Sequence, residues 1–133
     1  MKILAIDFGA KRVGIALGDS EIGVAAARPF LLNDIDLLDN LIELIEREGI
    51  EKILFGLPLG LRGETEQTAV AREFAQGLDS KIEIPLEFVD ERFTSKIASQ
   101  NLHSAELDSR EQKNLLDSES ARIILQEFFD LNS

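Results

Sequence analysis

The sequence predicts a single α/β domain on a mixed five-stranded sheet of order 3-2-1-4-5, with helices on both faces. Three observations carry this prediction. The first thirty residues hold three apolar, strand-like runs joined by short polar turns, and short connections make antiparallel neighbours. Two later strand-like runs, Lys52–Gly56 and Ile82–Val89, each follow a stretch of helical periodicity, the pattern of parallel, right-handed βαβ crossovers. Finally, 133 residues with 44% hydrophobic side chains interleaved with charge suit one soluble core spanning residues 1–133.

The elements follow in order. Ile3–Phe8 and Val13–Asp19 are strands joined by a turn around Gly9, and Gly23–Phe30 is the third strand after Ser20-Glu21-Ile22. Asn33 or Asp34 caps a helix whose Leu37, Leu38, Leu41, Ile42, Leu44 and Ile45 recur at helical spacing, and Gly49 ends it. Lys52–Gly56 is the fourth strand, and 57–64 is a loop rich in glycine and proline. A helix starting at Thr65 or just before it carries Ala69, Val70, Phe74, Ala75 and Leu78. Ile82–Val89 is the fifth strand, alternating on Ile82, Ile84, Leu86 and Phe88. Thr94 or Ser95 caps a third helix, the polar stretch 104–112 is expected to be mobile, and the last helix sets Ala121, Ile124, Leu125 and Phe128 on one face.

Composition excludes several functions. No apolar run reaches the roughly 20 residues of a membrane span, and none resembles a secretory leader. The absence of cysteine excludes disulfides and thiolate metal sites and fits a cytoplasmic location. The lone His103 reads as an exposed helix-end residue, so a Ser-His-Asp triad is not expected. A net charge of −11 opposes nonspecific adhesion to nucleic acid, so a polyanion partner requires a focused basic patch, helped by metal.

With the predicted strand order, the carboxyl ends of strands one, four and five share one rim, where open α/β sheets bind ligands. Asp7 ends the first strand there, and Asp90-Glu91 end the fifth. Asp117 precedes Ala121, Ile124 and Phe128 at spacings that set it on the apolar stripe of the last helix, near its start. A carboxylate on that stripe needs a partner. The partner is either a cation shared with Asp7 and Asp90 or Glu91, or the orphan N–H groups of the helix start. Glu119 reads as a solvated helical residue. Carboxylates around one or two Mg²⁺ or Mn²⁺ ions suit phosphodiester hydrolysis. Lys11, Arg12, Arg62, Arg92 and Thr94 are the candidate substrate contacts, the arginines holding flanking phosphates. Arg62 alone reads more simply as a surface residue.

Four motifs in this order, Asp7-Phe8-Gly9-Ala10-Lys11-Arg12-Val13-Gly14-Ile15-Ala16, Gly56-Leu57-Pro58, Val89-Asp90-Glu91-Arg92-Phe93-Thr94 and Asp117…Ala121…Leu125-Gln126, resemble the YqgF/RuvX family across nearly the whole chain. The resemblance implies an RNase H-like three-layer fold related to the RuvC resolvases. It also implies a cytoplasmic nuclease that processes the 5′ end of pre-16S ribosomal RNA. By motif, Asp7, the Asp90-Glu91 pair and Asp117 become the metal ligands, with Asp7, Glu91 and Asp117 catalytic. The chain departs from the wider RNase H-like pattern in one place: its fourth strand ends in Gly56-Leu57-Pro58 with no carboxylate, so the second acid comes from the fifth. Precursor rRNA is the first expected partner and branched DNA, as for a Holliday-junction resolvase, the second. A non-catalytic RNA-binding or transcription-associated factor is the third reading. The sequence does not choose between monomer and dimer. Half of an actin-like ATPase is disfavoured by length.

Overall fold

In the computed structural model, residues 1–58, 63–90 and 109–132 are described, with 109–117 as backbone only. The strands are β1 (Lys2–Phe8), β2 (Arg12–Asp19), β3 (Val24–Leu32), β4 (Lys52–Leu57) and β5 (Leu86–Asp90). The helices are α1 (Leu37–Glu48), α2 (Glu66–Asp79) and α3 (Ser109–Leu131). The sheet has the expected order, β3-β2-β1-β4-β5. β1 and β3 run antiparallel to β2, while β4 and β5 continue the sheet in parallel. Among the described residues no helix is long and apolar enough to cross a membrane.

Strand alternation divides the core into two unequal layers. Leu4, Ile6, Phe8, Ile15, Ile53 and Phe55 carry bulk toward α1 and α2. There Phe8 packs on Phe55 and Phe74 with ring centroids 5.8 and 5.0 Å apart. The opposite face is mostly small, with Ala5, Ala16 and Ala25 meeting Ala121, Leu125 and Phe129 of α3. Small residues let α3 lie close to the strands. At Gly18 an added Cβ would stand 2.7 Å from the Phe129 ring and 2.8 Å from the Val24 carbonyl oxygen. Gly18→Ala is therefore expected to cost about 1–3 kcal/mol through overpacking, read as a lower denaturation midpoint.

Several boundaries differ from expectation. α1 starts later than Asn33 or Asp34 would place it, because Asp34 builds a turn ahead of the helix. Its Oδ1 accepts the Asp36 N–H at 3.0 Å and its carbonyl the Leu37 N–H at 3.1 Å. Gly49 does end the helix, in a left-handed conformation. β5 begins at Leu86, not Ile82. Ile82 and Ile84 pack on the core without joining the ladder. Pro85 has no N–H to offer it, although its carbonyl accepts the Ile53 N–H at 2.9 Å. α3 begins at Ser109, so residues 109–112 of the polar stretch belong to the last helix. The expected third helix, His103 and the rest of the polar stretch lie outside the described residues.

Candidate functional site

The rim is built around the end of β1. Asp7 lies in register with Gly14 of β2 on one side and Gly56 of β4 on the other. Residues paired across strands share a face, and Asp7 alternates with Ile3 and Ala5 on the side covered by α3. The half-buried carboxylate thus rises from the sheet between two residues that have no side chain. The sequence showed Gly14 and Gly56 only as members of motifs; the register gives them a purpose.

The turn after β1 is held tightly. An added Cβ at Gly9 would lie 2.3 Å from the Arg12 carbonyl oxygen. Asn33, expected only as a helix cap, clamps this turn from the end of β3. Its backbone N–H donates to the Lys11 carbonyl at 2.9 Å and its Nδ2 to the Gly9 carbonyl at 2.7 Å. Lys11 is exposed on the turn. The Arg12 guanidinium lies 5.2 Å over the Phe30 ring, a cation–π contact that restricts where the charge can go. Phe30 is positioned by a bulge: the β2–β3 register slips between Val13 and Ile15, leaving Pro29 and Phe30 opposite Gly14. The far side of the rim is tied by Thr68, whose hydroxyl donates to the Pro58 carbonyl at 2.5 Å while it and Thr65 cap α2 reciprocally.

At the register slip the Ile15 N–H is taken by the buried Ser118 hydroxyl of α3, at 3.1 Å. Further along, Phe129 packs at Gly18. α3 therefore runs alongside β2, and the turns before Ser118 head toward Gly14 and Asp7. Position 117 is the residue immediately before Ser118, well inside a helix that starts at Ser109. That removes the alternative in which Asp117 is an N-cap. Ser118→Ala would leave the buried Ile15 N–H unpaired, with an expected loss of about 1–3 kcal/mol in thermal or denaturant unfolding.

Glu119 is not solvated as expected: it is 7% exposed and accepts hydrogen bonds from Arg122, one of them at 2.7 Å from Nε. The bond to Glu119 raises the Arg122 pKa above its ordinary value, with burial working against the rise. The neighbouring Gln126 caps the edge strand, accepting the Ala25 N–H at 3.0 Å and donating to the Gly23 carbonyl at 2.9 Å. An amide used this way covers backbone groups that an edge strand otherwise exposes.

Asp90 and Asp7 end on opposite faces of the sheet. Val89 packs with the α3-side core and Phe88 meets Phe55 edge-on, with centroids 6.0 Å apart, on the other side. Alternation then sets Asp90 with Phe88, toward α1 and α2. Arg62, Glu91, Arg92 and Thr94 lie outside the described residues, as does the side chain of Asp117. Among the described residues no three His, Cys, Asp or Glu side chains form a metal cluster.

Residues 1–131 match the family described as "RuvX: Holliday junction resolvase". A Maridesulfovibrio salexigens protein named "Putative pre-16S rRNA nuclease" is 41% identical over 131 residues, covering 95% of this chain and 96% of that protein. A protein of the same name from a Sulfurihydrogenibium species is 39% identical, covering 97% of this chain and 90% of that protein. Among solved structures, Thermus thermophilus RuvC in complex with a Holliday junction substrate superposes with a TM-score of 0.61 at 14% identity, covering 99% of this chain and 96% of that one. Fowlpox virus resolvase, in complex with Holliday junction DNA, also gives 0.61 at 12% identity and covers 99% of both chains. At such identities these two likenesses speak for the RNase H-like fold alone.

Proposed function

The chain belongs to the RuvX family, and from that premise we propose that it is a metal-dependent endonuclease that trims the 5′ end of pre-16S rRNA. The relatives named as pre-16S rRNA nucleases give the substrate class. The observation that carries the chemistry is the Asp7 carboxylate between Gly14 and Gly56, with α3 directed toward it by the Ser118–Ile15 bond.

The donor set suits a hard cation, since carboxylate oxygens are the ligands Mg²⁺ and Mn²⁺ prefer. Asp7, Glu91 and Asp117 would hold it. Glu91 is preferred over Asp90 because Asp90 stands on the opposite face. When bound, the ion lowers the pKa of a water and offsets charge on the attacked phosphate. The protein's own part is positioning. Lys11 and Arg12 on the Gly9 turn meet phosphates beside the cut, with Arg12 steadied by Phe30. Arg62, Arg92 and Thr94 are assigned to the same strand as further contacts.

A titration of Mn²⁺ into the parent and Asp117→Asn tests the ligand set. A neutral amide of the same shape there should leave the melting temperature near the parent's and weaken Mn²⁺ binding by at least the roughly 10–100-fold that losing an outer-shell partner costs. Unchanged affinity would remove Asp117 from the site. The family description favours a second reading, cleavage of four-way DNA junctions. Preferential cutting of a junction over precursor RNA would establish it.

A further inference from the structure

Behind the Gly9 turn lies a cleft of about 290 Å³ that the cleavage reading does not use. Phe8, Ala10, Pro58 and Val70 give it apolar walls, and Asn33, Glu66 and Gln67 stand among them. Phe8 follows Asp7 and alternates to the other face, so the cleft opens on the far side of the strand end that carries the carboxylate. The Gly9–Lys11 turn is the saddle between the two, with Lys11 exposed on it. A nucleic-acid strand with one phosphate at Asp7 would cross this saddle, meeting Lys11 with its backbone and dropping a neighbouring base behind the turn.

The cleft is built for a base and not for a phosphate. Its volume is at the lower end for small-molecule pockets, about 300–1,000 Å³, room for one heterocycle and not for a base pair. Val70 is 58% exposed, a large apolar side chain left open where a ring can lie. Asn33 is fixed by its bond to the Gly9 carbonyl, which leaves Oδ1 as an acceptor and a second N–H as a donor. Glu66 adds a carboxylate, which repels phosphate and accepts from N–H groups. Among the described residues neither Glu66 nor Gln67 has a side-chain hydrogen-bond or ion-pair partner. An edge with two adjacent N–H donors and a carbonyl matches this set. Guanine presents N1–H and N2–H to a carboxylate and O6 to an amide N–H. Adenine and cytosine place a bare ring nitrogen where the carboxylate would be, and uracil has a single N–H between two carbonyls.

We infer that this cleft receives one unstacked guanine of the substrate strand, next to the nucleotide that is cut, and so gives the enzyme a sequence preference. The inference rests on the nuclease reading for its substrate, but the two fail separately. The test measures binding of short single-stranded RNAs, each with one of the four bases or inosine at a stepped position, together with their cleavage in Mg²⁺. The parent is compared with Glu66→Gln and with Val70→Trp, which fills the cleft from an exposed helical position. At one position guanine should bind about tenfold more tightly than adenine or inosine, the size of one bidentate base contact. Both variants should lose that preference while keeping the parent's melting temperature and Mn²⁺ affinity. Absence of RNA binding, equal binding of all bases at every position, or a preference undiminished in both variants would overturn the inference. Cleavage without base preference would remove the guanine site and leave the nuclease. A guanine preference without cleavage would do the reverse.

Discussion

Asp7→Asn should fold as the parent does and lose about a thousandfold or more in metal-dependent cleavage. The substitution keeps the shape of the side chain at a half-buried position flanked by glycines, so packing is preserved. It removes the negative charge that would hold the cation. A bound metal is worth several kcal/mol of transition-state stabilisation, and each 1.36 kcal/mol is about tenfold in rate. Removing a carboxylate from a site of several acids should also leave the metal-free protein as stable as the parent or slightly more so. Cleavage rates under single-turnover conditions, beside a denaturation curve, check both halves of the expectation. A folded Asp7→Asn that cuts at the parental rate would remove Asp7 from the chemistry.

Gly9→Ala should damage both the stability and the activity of the rim. The added Cβ would meet a backbone oxygen, that of Arg12 at 2.3 Å, which cannot swing aside as a side chain can. The turn must open, and Asn33, bonded to both Gly9 and Lys11, must move with it. Overpacking of this kind costs about 1–3 kcal/mol and occasionally more. The larger consequence falls on activity. Asp7 and Lys11 flank the turn, and a displacement of about 1 Å in a positioning element can reduce rate by about a hundredfold. Unfolding midpoints and initial cleavage rates together measure this. An active, stable Gly9→Ala would show that the turn is not a fixed part of the site.

The fold was legible because the large features are periodic. The short turns of the first three strands, the apolar spacing of α1 and α2, and Gly49 with its left-handed backbone all read directly from residue type. What failed were places where one pattern has two physical causes. Ile82 and Ile84 alternate like a strand because they pack on the core, while Pro85 and the bends around it keep them out of the ladder. Asp34 looks like a cap because it organises a turn, one step before the helix it was expected to start.

The site was half legible. The position of Asp7 near the end of a buried strand read directly from the sequence. Its glycine neighbours did not, since their role depends on register between strands distant in sequence. The sequence offers Asp90 and Glu91 together, and only the packing of Val89 and Phe88 shows which face Asp90 belongs to. Glu119 was misread because helical spacing locates an apolar stripe but does not reveal Arg122 as a partner in a part-buried pair. Ser118 carried no signal and Asn33 only that of a helix cap, since the value of each lies in a backbone partner distant in sequence.

The central claim, that the Asp7 rim cuts precursor RNA with the help of a divalent ion, has one direct measurement. Labelled RNA spanning the 5′ leader and start of 16S rRNA is incubated with the protein in Mg²⁺, in Mn²⁺ and in EDTA, beside an unrelated RNA and a four-way DNA junction. The predicted result is defined cleavage in the leader with either ion, none in EDTA, and little on the other two substrates. Cleavage that persists in EDTA, or folded, ion-loaded protein that leaves the leader intact, would contradict it.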